Sequence, residues 1–163
     1  MFQPPLLDAL QPGQILARGV CRYLIEEGFA PVTEFIPARG LRTDVTALGP
    51  GGEIWVVECK SSTADFLSDR KWRGYLDWCD RFFFAVAPEF PMEILPDEEG
   101  LIAADGFGAE ILRPAQERKL SGARRAAQTR RIARAAALRL RGRDDPGAAA
   151  IAALSMSAED EAG

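Results

Sequence analysis

A glycine-rich bend, Gly49-Pro50-Gly51-Gly52, separates two strand-like runs and commits this part of the chain to an antiparallel hairpin. Before the bend, Thr43 to Leu48 alternates in polarity; after it, Glu53 to Lys60 carries the apolar core Ile54-Trp55-Val56-Val57. Residues directly opposite each other in such a pair share a face. If the hairpin is centred on Gly51, with a loop at 50–52 or 49–53, Asp44 stands opposite Glu58. A two-residue loop at 50–51 would set Asp44 against Val57 and throw Glu58 to the other face. The glycines permit the odd-numbered loops. Lys60 lies two residues beyond Glu58 and shares its face.

The flanking sequence predicts an α/β architecture. Residues 6–27 carry an apolar stripe (Leu6, Leu10, Ile15, Leu16, Val20, Tyr23, Leu24) and read as a helix that Pro12-Gly13 can split, with Gly28 past its end. Residues 29–36 read as a strand. Ser62 and Asp65 resemble a capping box opening a helix over about 63–79. Arg81 to Ala87, centred on Phe82-Phe83-Phe84, reads as a buried strand. Leu101–Ala104 and Ala109–Leu112 read as short final strands, and about 119–141 as a basic helix. Residues 1–143 form one expected domain, and 144–163 a flexible acidic tail. The order αβββαβ implies a mixed central sheet flanked by helices.

Of the 163 residues, 47% are apolar and 27% charged, an ordinary globular composition. No apolar run approaches the ~20 residues that cross a bilayer. Met1 to Leu10 lacks a basic start, which argues against a signal peptide. Cys21, Cys59 and Cys79 form no close pair and read as buried thiols in a reducing cytoplasm. The chain has no histidine, which excludes His triads, His bases and His metal ligands. Hydrolytic chemistry here must use carboxylates, lysine and a hard cation on oxygen.

Asp44, Glu58 and Lys60 meet that need. Two adjacent carboxylates repel unless protonated or neutralised. Mg²⁺ or Mn²⁺ neutralises them, needs few protein carboxylates and activates water toward a phosphodiester. The Cys59 carbonyl offers another hard oxygen, and Lys60 can orient the water or stabilise phosphate charge. The competing reading is a strand end whose charges reach water and pair as Glu–Lys. Glu34, Glu26 or Glu27 could complete a metal shell, although solvated acids are the simpler reading. Lys71, four residues from both Leu67 and Tyr75, either faces the site and touches phosphate or snorkels.

Asp44, the glycine turn and Glu58-Cys59-Lys60, set in this element order, resemble the PD-(D/E)XK nuclease core. Arg42-Thr43-Asp44-Val45, Glu58-Cys59-Lys60-Ser61-Ser62, Ala64-Asp65-Phe66, Asp69, Lys71-Trp72, Tyr75, Cys79-Asp80 and Phe83-Phe84-Ala85-Val86 more closely resemble the MmcB family of bacterial DNA repair proteins. The likeness covers roughly residues 15–141. It implies a restriction-endonuclease-like fold, a DNA repair role and Asp44, Glu58 and Lys60 as signature positions. Thr43 stands where the broader signature has proline, a residue without chemistry of its own. The expected partner is DNA, with repair proteins or a second copy of the chain as protein partners. No membrane and no small-molecule cofactor are expected.

The net charge is −4, yet Arg113 to Arg143 holds eleven basic residues and one acid. A helix bearing Arg124, Arg125, Arg130, Arg131 and Arg134, with the apolar line Ile132, Ala136, Leu140, can pair with backbone phosphates, as can Arg42. The same helix can instead dock on the acidic remainder of its own fold. It lacks the aromatic anchors of a membrane-surface helix. Three functional classes follow: a Mg²⁺-dependent DNA nuclease, a DNA-binding or scaffold module without turnover, and a protein adaptor using the acidic surface.

Overall fold

A computed structural model of the chain describes residues 7–161, with side chains over 8–153. Residues 1–6 and 162–163, parts of the N-terminal stretch and tail read above, lie outside the described residues. The strands are β1 (Ala30–Phe35), β2 (Thr43–Leu48), β3 (Ile54–Lys60), β4 (Arg81–Val86), β5 (Gly100–Ala104) and β6 (Ala109–Arg113). They form one six-stranded sheet in chain order. Pairs β1–β2, β2–β3 and β5–β6 are antiparallel; β3–β4 and β4–β5 are parallel.

In the hairpin, Leu48 pairs with Ile54 and Val45 with Val57. Gly49 N–H donates to the Glu53 carbonyl at 2.8 Å, which narrows the loop to residues 50–52. Gly52 turns the chain at φ 87°, a conformation that costs glycine nothing. The bend is therefore centred on Gly51, and the register sets Asp44 opposite Glu58.

Helix α1 (Pro12–Glu26) starts at Pro12 instead of being split by it, since proline suits the first helical position. The Gln14 side chain accepts the Gln11 N–H at 2.9 Å. Leu16, Val20 and Leu24 pack on one face of the sheet with Val45, Val57, Phe83 and Ile102. The opposite face holds Phe35, Ile54, Val56, Trp72, Phe82, Phe84 and Ile132. Alternation thus sends Phe83 to one core and Phe82 and Phe84 to the other, each at most 1% exposed. A fully buried Phe stabilises by roughly 1.5–3 kcal/mol, so β4 is a principal anchor.

Three expectations change. The helix expected over 63–79 divides into α2 (Thr63–Ser68) and a 3-10 segment, Trp72–Trp78. Asp69 causes the break: its Oδ1 accepts the N–H groups of Lys71 at 2.7 Å and Trp72 at 3.2 Å. Lys71 therefore shares no helical face with Leu67, which is 67% exposed. The basic helix, α3 (Gly122–Asp144), begins after Ser121, whose hydroxyl accepts the Arg124 N–H. It buries Gln128 and Ile132, whereas Ala136 and Leu140 on the expected apolar line are exposed. Each four-residue step overshoots a turn, so that line drifts away from the contact. Finally, the stretch read as a poorly ordered tail contains α4 (Pro146–Glu161), where helix-favouring alanines prevail.

Candidate active site

Past Val45 and Val57 the β2–β3 ladder opens, and side chains take over its hydrogen bonds. Cys59 N–H donates to Oδ2 of Asp44 at 2.7 Å. Asp44 N–H donates to Oε1 of Glu58 at 2.9 Å. Glu58 is thus gripped by the backbone of Asp44, and Asp44 by the backbone of the residue after Glu58, and the two share one patch. Among the described residues no fully buried side-chain polar atom lacks a hydrogen-bond partner. Asp44 Oδ1 and Glu58 Oε2 accept no hydrogen bond from the protein, so both reach solvent. N–H and C=O of one strand residue point to the same edge, so the Cys59 carbonyl also faces the opened gap.

The patch resists negative charge. Burial and the neighbouring Asp44 push Glu58 up to about 8, against the Asp44 N–H and Lys60. Burial also raises Asp44, against the Cys59 N–H and Lys60. Burial opposes the charge on Lys60, but its hydrogen bond to Asp69 and the charges of Asp69, Glu58 and Asp65 outweigh it and raise its pKa. Lys60 is a standing cation, not a proton acceptor.

Asp69 holds Lys60 in place, a role not assigned from the sequence. Its Oδ2 lies 2.6 Å from Lys60 Nζ, with the side chains 14% and 6% exposed. Partial burial raises Asp69, but Lys60 and the two N–H groups hold its carboxyl below the ordinary range. Four successive polar residues, Ser68-Asp69-Arg70-Lys71, were the available signal that the helix breaks there. Asp65 sits beside this pair. Ser62 Oγ accepts the Asp65 N–H at 3.1 Å, but the Asp65 carboxylate returns to Ser61 N–H at 3.0 Å, one residue short of a regular capping box.

Asp44 and Glu58 suit a hard divalent ion: two coupled carboxylates, each with a solvent-reaching oxygen, and a carbonyl facing the same gap. Among the described residues no group of three or more Asp, Glu, His or Cys is arranged to hold a metal ion. Glu34, in β1 at φ 48°, is exposed and lines a separate groove of about 550 Å³ with Arg131, Arg134 and Arg139. Glu26 and Glu27 are exposed at the end of α1. The three cysteines are free, and burial raises the Cys21 thiol to about 11, leaving it inert.

The arginines of α3 serve the fold. Arg125 grips Asp80 through both guanidinium nitrogens at 2.6 Å. Arg124 donates to the Asp77 carbonyl at 2.9 Å and lies over the Trp78 ring. Arg131 donates to the Pro37 carbonyl at 3.1 Å. Arg139 donates to the carbonyls of Thr33 and Glu34. Arg130 is exposed, and Arg134 lines the groove with Glu34. The helix docks on its own fold largely through backbone carbonyls, with Asp80 as its acidic partner. Arg42 and Lys71 are exposed: Tyr75 Oη donates to the Arg42 carbonyl at 2.8 Å, Arg42 lowers the Asp44 pKa, and the Lys71 N–H donates to Asp69.

A family model described as DNA repair protein MmcB-like matches residues 3–147. The chain belongs to this family. MmcB-like membership associates the chain with DNA repair. A solved structure, the SPO1766 protein of unknown function from Silicibacter pomeroyi, is similar at 60% identity with a TM-score of 0.83, over 85% of this chain and 95% of that one. No curated protein matches. Among the described residues no helix is long and apolar enough to cross a membrane.

Proposed function

We propose that this MmcB-like chain is a DNA phosphodiester hydrolase using Mg²⁺ or Mn²⁺, built on a restriction-endonuclease-like, PD-(D/E)XK core. The observation carrying this reading is the reciprocal grip of Asp44 and Glu58 in the opened hairpin, with one oxygen of each left to solvent. Asp44, Glu58 and the Cys59 carbonyl would hold the cation. When bound, it supplies Lewis acidity to the phosphodiester and relieves the repulsion between the two acids. Lys60, kept charged by Asp69, stabilises the negative charge that develops on the phosphate. Its raised pKa argues against general-base duty.

The test is incubation of the purified protein with single-stranded, nicked and branched DNA, with Mg²⁺ or Mn²⁺ against EDTA. Cleavage is expected only with the metal, and both Lys60→Ala and Asp44→Asn should abolish it. Cleavage that Lys60→Ala leaves unchanged overturns the assignment. Among the described residues no group of three acids is arranged to hold a metal ion, which favours a second reading, a DNA-binding module without turnover. DNA binding with no cleavage of any substrate would establish that reading instead.

A further inference from the structure

We infer that the DNA backbone is gripped not by the arginine-rich helix α3 but by a short cationic rim, Arg42 next to Asp44 and Arg70, Lys71 and Arg73 following Asp69. The inference takes DNA as the polyanion from the proposed function and needs no cleavage.

Two sets of observations oppose the rim and the helix. On α3, the head groups of Arg124, Arg125, Arg131 and Arg139 are engaged by carbonyls of the chain or by Asp80. Moving them to phosphate would release the helix from the β1–β2 connection and the sheet. At the rim, Arg42, Arg70, Lys71 and Arg73 are all exposed. Among the described residues no salt bridge neutralises any of the four. Arg73 lies over the Trp72 ring at 4.4 Å, an arrangement that stiffens the guanidinium without removing its charge.

The rim is also tied to the site. Asp69 holds Lys60 through Oδ2 and the Lys71 and Trp72 N–H groups through Oδ1, so one carboxylate links the active-site cation to residues 70–73. Tyr75 fastens the Arg42 backbone to the same 3-10 segment. A strand whose phosphate reaches Lys60 would therefore meet exposed positive charge on the backbone tied to Asp69 and Tyr75. Phosphate contacts of this kind position a strand without reading its sequence.

The experiment measures binding of a labelled oligodeoxythymidylate in EDTA across a salt series, so cleavage does not enter. In Arg42→Ala/Arg70→Ala/Lys71→Ala the slope of log affinity against log salt should fall by about 2, three lost contacts at about 0.7 each on single strands. Arg130→Ala/Arg141→Ala on α3 should bind like the unaltered protein. Arg70→Glu alone should weaken binding more than Arg70→Ala. All five altered positions are exposed, and matched circular dichroism melts verify folding. An unchanged slope in the triple variant, or an equal loss in the α3 variant, overturns the inference. Tighter binding of an RNA of equal length through the same residues would overturn the choice of DNA.

Discussion

Glu58 is folded into a place that opposes its charge. Burial and Asp44 hold its pKa near 8, whereas an unfolded glutamate ionises near about 4.3. Between those values the unfolded chain has lost a proton that the folded chain keeps. Stability therefore falls as pH rises through this window, by at most about 1.4 kcal/mol per pH unit for one proton. Glu58→Gln removes the titration and keeps an oxygen for the Asp44 N–H. In EDTA the variant should melt higher than the unaltered protein at pH 8 and alike near pH 4.5. Parallel melting curves across that range would show that Glu58 carries no such penalty. A divalent cation should flatten the curve of the unaltered protein. This residue was legible in advance because side-chain alternation and an odd-numbered bend fix the face of Glu58 once Asp44 is placed. Asp69 was not legible, because its role depends on Lys60 arriving from another element.

At the scale of elements, Asp80 fastens the basic helix to the sheet. Its carboxylate accepts Ile54 N–H at 2.7 Å, Leu120 N–H at 2.9 Å and both nitrogens of Arg125. Burial raises Asp80, but these donors outweigh it and lower its pKa. Its stabilisation is therefore present above about pH 3.9 and is lost as pH falls toward the folded value. Asp80→Ala should cost about 3 kcal/mol, since it leaves two buried N–H groups and a guanidinium without their acceptor. Arg125→Ala should cost less, because that side chain is 24% exposed against 3% for Asp80. Urea denaturation measures both, and equal midpoints for all three proteins would refute the clamp. The arginine density of α3 announced a helix correctly and its use misleadingly. Composition cannot distinguish an arginine awaiting phosphate from one that meets a carbonyl brought close by folding.

For the whole molecule, the strands were legible because their apolar runs are dense and glycine or proline punctuates them. The two cores were legible in β4, whose consecutive phenylalanines cannot all face one side. The helix α4 was not read from the sequence because an alanine run has no amphipathic stripe, although its propensity for helix is high. It packs chiefly on α3, outside the two cores, and the family match ends at residue 147. The sheet, α1 and the opened hairpin are complete without it. A chain ending at Asp145 should therefore melt within about 4 °C of the full chain, the shift expected from roughly 1 kcal/mol. It should also keep the salt slope of DNA binding, since the proposed rim lies on the β1–β2 connection and on residues 70–73. A larger loss of stability would mean that the groove between α3, α4 and Glu34 is a structural joint of the domain.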